Sequence, residues 1–323
     1  MMKVLKVTGI IILVLIVLIA SAGLYVKTAL PDTGPAPDMK IELTQQRLHR
    51  GEYLANSVAV CMDCHSTRDW TVFAGPLKPG NFGGGGEAFD KKQGFPGNFY
   101  APNITPAGIG KWTDGEVFRA VTTGVSKDGR ALFPVMGYHR FGQMDEEDVK
   151  SIIAYIRSLP AVDNKVPVSE ADFPVNFIIN TMPHKANFKA MPDSANAVAY
   201  GGYLVNVAGC VECHSKTDKG AVIEGTEFGG GMEFAQPGGI IRSPNITFDK
   251  TGLSAWTAES FINRFKAYTD SSYKPVHLKQ GDLNSPMPWT MYARMQDNDL
   301  RAIYTFLKTL KPIENKVERE SKL

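Results

Sequence analysis

Hydrophobic positions along the chain follow two patterns. The first is a solid block. Val7 to Val26 carries no charge, and Ile10 to Ala20 is almost pure Ile, Leu and Val. A helix of ~20 such residues spans the ~30 Å hydrocarbon core of a bilayer. The basic lead before it, with Lys3 and Lys6, keeps the N-terminus inside and places the rest outside. Ala20-Ser21-Ala22 resembles a signal-cleavage site. The segment therefore reads as a retained anchor, which its full length favours, or as a cleaved signal. On both readings the folded part is exported.

The second pattern is helical periodicity. Val149, Ile152, Ile153, Ile156 and Leu159 recur on one helix face, and so do Leu300, Ile303, Leu307 and Leu310. Pro160 and Pro312 stop these helices. Thr113 and Glu116 have the spacing of a capping box for a helix through Val117, Ala120 and Val121. Thr44 and Ser194 are candidate N-caps for two further helices. Between them lie Gly- and Pro-rich loops, including Gly83 to Gly86 and Gly229 to Gly231. No Gly-Lys-Ser/Thr follows either glycine run, so both read as flexible surface loops and not as phosphate cradles. No run of alternating strands stands out, and the expected fold class is all-α.

The two periodic helices belong to a repeat. Gly51-Glu52-Tyr53-Leu54-Ala55-Asn56 returns as Gly201-Gly202-Tyr203-Leu204-Val205-Asn206. Cys61-Met62-Asp63-Cys64-His65-Ser66 returns as Cys210-Val211-Glu212-Cys213-His214-Ser215. Pro102-Asn103-Ile104-Thr105 and Trp112-Thr113 return as Pro244-Asn245-Ile246-Thr247 and Trp256-Thr257. Asp148 to Leu159 matches Asp299 to Leu310 without a gap. Landmarks in one order with loops of changing length indicate duplication of a domain. The division that follows is 1–26 anchor or signal peptide, 27–43 Pro-rich linker, 44–160 first domain, 161–193 interdomain linker, 194–312 second domain and 313–323 tail. The linker after 26 reads as an extended spacer above the membrane. The apolar stretch Phe177-Ile178-Ile179 of the second linker is expected to pack on one of the domains.

Composition changes this picture little. The chain of 323 residues is long enough for two domains, and 43% hydrophobic with 21% charged residues is ordinary for a globular fold. Lys plus Arg is 35 and Asp plus Glu is 33, with no basic stripe, so nucleic acid is not an expected partner.

The cysteines change it a great deal. There are four, Cys61 with Cys64 and Cys210 with Cys213, and a histidine follows each pair directly. Cys-x-x-Cys-His is the attachment sequence of c-type haem. Two thiols one helical turn apart form thioethers with the haem vinyl groups, and the next residue turns toward the iron. A thioredoxin-type redox pair would need a βαβ pattern, and a shared zinc site would leave both histidines unexplained. Two haems c per chain are expected, with His65 and His214 as proximal iron ligands.

A sixth ligand common to both copies should recur at one place in the repeat. Two methionine pairs do so: Met136 with Met287, and Met144 with Met295. Met144 and Met295 directly precede helix starts, where an apolar residue packs as a staple. Met136 and Met287 lie in stiff proline loops, Phe133-Pro134-Val135-Met136 and Ser285-Pro286-Met287-Pro288, and are the candidate ligands. His49, His139, His184 and His277 have no repeated counterpart and read as ordinary histidines.

The order Gly51-x-Tyr53-Leu54, Cys61-x-x-Cys64-His65, Pro102 to Thr105, Trp112, Pro134-x-Met136 and Asp148 resembles class I cytochrome c domains. The second copy matches through Tyr203-Leu204, Cys210 to His214, Pro244 to Thr247, Trp256, Pro286-Met287-Pro288-Trp289 and Asp299-Leu300. Such domains occur in the cytochrome subunits of periplasmic alcohol, aldehyde and gluconate dehydrogenases. The resemblance implies two tandem class I cytochrome c domains behind a transmembrane helix, with His/Met ligation at both irons. It implies electron transfer, with a periplasmic or membrane dehydrogenase as donor and a terminal oxidase or another cytochrome as acceptor. The place is the bacterial cytoplasmic membrane, with the haem domains in the periplasm, or the soluble periplasm after cleavage. Those subunits commonly hold three haem domains, whereas two attachment sequences stand here. A dihaem peroxidase is the alternative. It needs an open iron, which the matched methionines oppose. No residue is assigned a catalytic role.

Overall fold

The computed structural model describes residues 2–322; Met1 of the basic lead and Leu323 of the tail lie outside them. The apolar block forms one helix, Met2–Thr28, whose most apolar 18-residue stretch has a mean hydropathy of 2.9 and which has no buried residue. It is the single helix among the described residues that is long and apolar enough to cross a membrane.

Each repeat is built around two crossing helices. A leading helix, Gln45–Tyr53 or Ala197–Ala208, crosses a closing helix, Glu146–Ser158 or Asp297–Leu307. The crossing explains the repeated glycine. A Cβ on Gly51 would lie 1.8 Å from the Ser151 carbonyl oxygen, and one on Gly201 would lie 2.0 Å from that of Ala302. Only glycine lets these backbones meet. The periodic residues Val149, Ile152, Ile153 and Ile156, and Leu300, Ile303 and Leu307, are buried in the shared core. Met144 and Met295 are buried there too, as the staple reading expects.

The caps follow the sequence with one change. Thr113 and Glu116 exchange backbone bonds of 3.1 and 2.8 Å as a capping box, and Thr44 accepts from Arg47 N. The second leading helix is capped by Asn196, not Ser194; the Asn196 Oδ1 accepts from Ala199 N at 3.2 Å. Asparagine sits one residue before the helix, within reach of the third N–H, and Ser194 does not.

Expectation and structure part at the loops. The fold is helical but not all-α. Ala88–Phe89, Gly97–Tyr100 and Glu170–Ala171 form one small sheet, Glu233–Gln236, Gly239–Arg242 and Glu320–Lys322 another, and Thr217–Asp218 pairs with Ala221–Val222. These strands have two to four residues, too short for an alternating pattern to register in sequence. Two of them come from segments read as linker and tail. Residues 161–171 and 313–322 lie along their own repeats, where Asn164 Nδ2 donates to the Gly84 carbonyl at 2.9 Å and Asn315 Nδ2 to that of Gly229 at 2.8 Å. The spacer before repeat 1 is also laid down on it. Ile41 N donates to Asp114 Oδ2 at 2.8 Å, Ile41 is buried, and Gly115 abuts the Pro37 carbonyl.

The repeats face each other about a local pseudo-twofold. Tyr53 of the first leading helix donates to Asp299 Oδ2 at 2.5 Å, and its counterpart Tyr203 donates to Asp148 Oδ2 at 2.6 Å. Each hydroxyl also accepts a backbone N–H before the opposite closing helix, from Gln296 and Asp145. Burial, then the facing carboxylate, pushes both phenols far above their ordinary range, so both remain donors. Asp148 also holds Arg50 in two bonds of 2.8 and 2.7 Å, whereas the position matching Arg50 is Tyr200. Removing either hydroxyl should therefore be unequal. Tyr53→Phe is expected to cost about 2–3 kcal/mol and Tyr203→Phe about 1 kcal/mol, because only Asp148 retains a guanidinium. Denaturant unfolding of the two variants checks the order.

Candidate functional site

Each Cys pair occupies a single helical turn, Cys61–Cys64 or Cys210–Cys213, entered through a left-handed residue, Val60 or Gly209. None of the four thiols is in a disulfide. Desolvation by the surrounding protein pushes the half-buried Cys61, Cys64 and Cys210 up to about 12 and the more exposed Cys213 up to about 11. Among the described residues no three His, Cys, Asp or Glu side chains converge on a metal position. Two cysteine pairs that converge neither with each other nor with a third such side chain do not make a shared zinc site.

The histidines are built alike in both copies. His65 Nδ1 meets the Pro102 carbonyl at 2.8 Å, and His214 Nδ1 meets that of Pro244 at 2.9 Å. A carbonyl only accepts, so Nδ1 carries the proton and Nε2 keeps its lone pair. Burial lowers both imidazoles below their ordinary value and holds them neutral. A neutral ring fixed by a carbonyl at Nδ1, with Nε2 free, is how a metal-ligating histidine is oriented.

The glycine runs make this cradle. They are structured, not flexible surface loops. Gly85 N donates to the His65 carbonyl at 2.9 Å and Gly230 N to that of His214 at 2.8 Å. Both have φ near +72°, and a Cβ on either would lie about 2.5 Å from the carbonyl carbon of Pro102 or Pro244. The glycines thus bring the proline carbonyl against the histidine. The following Asn locks the turn: Asn103 and Asn245 each accept from the N–H and hydroxyl of the Thr two residues on. Their Nδ2 groups donate to the Val162 and Ile313 carbonyls at 2.8 and 2.7 Å. The repeated Pro-Asn-Ile-Thr was visible in sequence; its purpose was not, because the partner segment lies about 60–70 residues away.

In repeat 2 a cavity of about 660 Å³ opens beside the Cys turn. Cys210, Cys213, His214 and Met287 all line it, together with Trp256 and Met295. That volume falls in the ~300–1,000 Å³ range of cofactor sites. Two thiols on one side, an imidazole with a free Nε2 and a thioether on a proline loop suit a covalently attached haem. Repeat 1 has the same Cys turn and histidine cradle, with Met136 half-buried against the core on the turn Pro134–Met136. Of the other histidines, His139 bonds Glu212 Oε1, His277 bridges Val72, and His49 and His184 are exposed.

The two sites are joined crosswise. Beyond Met136, Arg140 donates to the Val207 carbonyl at 2.6 Å and pairs with Glu212 at 2.8 Å, an ion pair without hydrogen-bond alignment at Nε. Its charge opposes the effect of burial at Cys61, Cys210 and Cys213. In the other direction Asp63 on the first Cys turn binds Arg68 at 2.7 Å, and Arg68 holds the Ala74 and Gly75 carbonyls. That loop meets Asn284, which accepts from Ala74 N at 2.7 Å and donates to the Val72 carbonyl at 3.0 Å. Asn284 stands just before the Met287 loop, and Phe73 of repeat 1 lines the cavity of repeat 2.

Residues 198–311, which hold the second Cys turn, its histidine and its closing helix, match the family model described as Cytochrome c. The chain is similar to the cytochrome c subunit of a quinone-type alcohol dehydrogenase from Gluconacetobacter polyoxogenes, 29% identical over 91% of this chain and 61% of that subunit. It is 28% identical to the fructose dehydrogenase cytochrome subunit of Gluconobacter japonicus over 81% of this chain and 52% of that subunit. It is 25% identical to a diheme cytochrome c-type protein of Cereibacter sphaeroides over 94% of this chain and 97% of that protein. The chain thus spans about three-fifths or less of the two dehydrogenase subunits, and nearly the whole of the dihaem protein.

Proposed function

We propose that the chain is a two-haem electron carrier and not an enzyme, held at the periplasmic face of the membrane by Met2–Thr28. Electrons come from a periplasmic or membrane dehydrogenase and leave to a terminal oxidase or another cytochrome. The observation that carries this reading is the doubled cradle, with His65 on Pro102 and His214 on Pro244 in the same tautomer. Cys61 and Cys64, and Cys210 and Cys213, would anchor the two groups, and His65 with Met136, and His214 with Met287, would hold the irons. A haem so bound would supply a one-electron ferric/ferrous couple, whose potential a methionine ligand would raise. The remaining residues hold the ligands still. The proline carbonyl fixes each imidazole, the glycine loop fixes the carbonyl, Arg140 ties the Met136 loop to Glu212 of the second Cys turn, and Asn284 ties the Met287 loop through Ala74 and Arg68 to Asp63 of the first. Rigid ligands at both irons suit electron exchange with little rearrangement. The names of the dehydrogenase subunits support the donor, and the dihaem relative supports the count.

Carbon monoxide and hydrogen peroxide test this. Reduced holoprotein is expected to keep its spectrum under carbon monoxide and to turn over peroxide no faster than its rate of simple reoxidation. A carbon monoxide complex at one haem with sustained peroxide turnover would replace the carrier reading by a peroxidase.

A further inference from the structure

The segment Asp172 to Met182 leaves repeat 1 and returns to it. On one side Glu170 and Ala171 pair with Asn98 and Gly97, and on the other Asn187 N donates to the Gly142 carbonyl at 2.8 Å. Between these anchors it carries Phe173, 82% exposed, with Phe177 and Ile178, 38% and 46% exposed. A loop pinned at both ends with its largest apolar side chains turned outward has no use for them in water. The sequence suggested that Phe177-Ile178-Ile179 packs on a haem domain. It packs instead on the N-terminal helix: the turns Val175–Ile178 and Ile179–Thr181 both contact it, and the Phe177 ring lies 3.7 Å from where a Cβ of Gly23 would stand. Gly23 is near the outer end of that helix, where the span leaves the hydrocarbon. The chain between helix and repeat is short and pinned, by Ile41 to Asp114 and by Thr33, which accepts from Thr123 at 3.4 Å. Repeat 1 therefore sits close to the C-terminal end of this helix, and the loop lies beside that end.

We propose that Asp172 to Met182 is a second membrane contact, in which Phe173, Phe177 and Ile178 enter the lipid interface beside the span and fix how repeat 1 sits on the bilayer. Aromatic and aliphatic side chains on a short apolar turn are suited to the headgroup–acyl boundary. The lipid is the occupant because the patch continues the apolar surface of the helix that it touches. The inference rests on the reading of Met2–Thr28 as a retained span. Seated this way, the loop acts as an outrigger that turns a single flexible tether into a fixed platform for electron exchange.

The test uses full-length holoprotein in vesicles of phosphatidylethanolamine and phosphatidylglycerol, with the photocrosslinker p-benzoylphenylalanine at one position at a time. At Phe173 irradiation should give lipid adducts by mass spectrometry, as it does at Leu18 in the span. At Val276, an apolar residue of repeat 2 that is 56% exposed, the yield should be several-fold lower. Adducts at Leu18 but none at Phe173 overturn the second contact and leave the span intact. No adduct at Leu18 overturns the membrane reading and the contact with it. Equal yields at Phe173 and Val276, or a chain-to-chain product at Phe173, also overturn the proposal, the latter in favour of a contact between two copies.

Discussion

Gly201→Val is expected to unfold the second repeat. The added Cβ would stand 2.0 Å from the Ala302 carbonyl oxygen and 2.5 Å from its carbon. Both are backbone of the closing helix, so no side chain can swing away to make room. The helix itself would have to retreat, and it carries Leu300, Ile303 and Leu307, all buried. Opening that packing costs more than about 4 kcal/mol, among the largest effects of a single substitution. Stability of a domain is about 5–15 kcal/mol in total. Holoprotein yield and thermal midpoint should both fall sharply. Gly202→Ala is the control. Its Cβ meets only ring atoms of Phe306, at 3.0 Å, and the matching position in repeat 1 already holds Glu52. That variant should stay within about 1 kcal/mol of wild type, since alanine's better helix propensity offsets a small ring shift. Wild-type stability for Gly201→Val would show that the crossing is looser than described.

Met287→Ala is expected to lower one midpoint potential on the order of a tenth of a volt or more, well inside the ~0.8 V over which axial ligands tune haem. The thioether–iron absorption band should lose about half its intensity, since the other site keeps Met136. The loop itself should hold, because Trp289 N donates to the Met287 carbonyl at 2.8 Å and Trp289 Nε1 to Ser285 at 3.1 Å, independently of the methionine side chain. Met295 lines the same cavity, so Met295→Ala separates ligand from filler. Met295 is 1% exposed, and its truncation should cost about 2–5 kcal/mol of packing while leaving band and potential nearly unchanged. The reverse pattern, with the band lost in Met295→Ala and kept in Met287→Ala, would move the ligand to Met295.

What was legible beforehand depended on distance along the chain. The Cys turns with their histidines, the Thr113–Glu116 cap and the apolar span are local, so spacing alone exposes them. The closing helices were legible because their burial is periodic. The cradle was not. Gly85 and Gly230 resemble loop filler until the Pro102 and Pro244 carbonyls arrive from another segment to within a Cβ radius. Asn103 and Asn245 likewise need Val162 and Ile313. The spacer's proline content suggests an extended, free strand, but extension also suits a strap, and Ile41 with Asp114 decides between them. Phe177 to Ile179 announced burial without naming the partner. Duplication revealed the crosswise ties least of all. Each starts from the matched acid of a Cys turn, Asp63 or Glu212, but the partners, Arg68 and Asn284 through Ala74 on one side and Arg140 on the other, stand at unlike positions that no repeat alignment pairs.

The central claim is that both Cys turns hold haem. Intact-mass analysis of protein matured in a host competent in c-type attachment, combined with pyridine haemochrome absorbance and thiol titration, measures it directly. Two covalent haems per chain and no free thiol are expected. A folded, colourless chain with four titratable thiols, or a single haem with the Cys61–Cys64 pair still free, would contradict it.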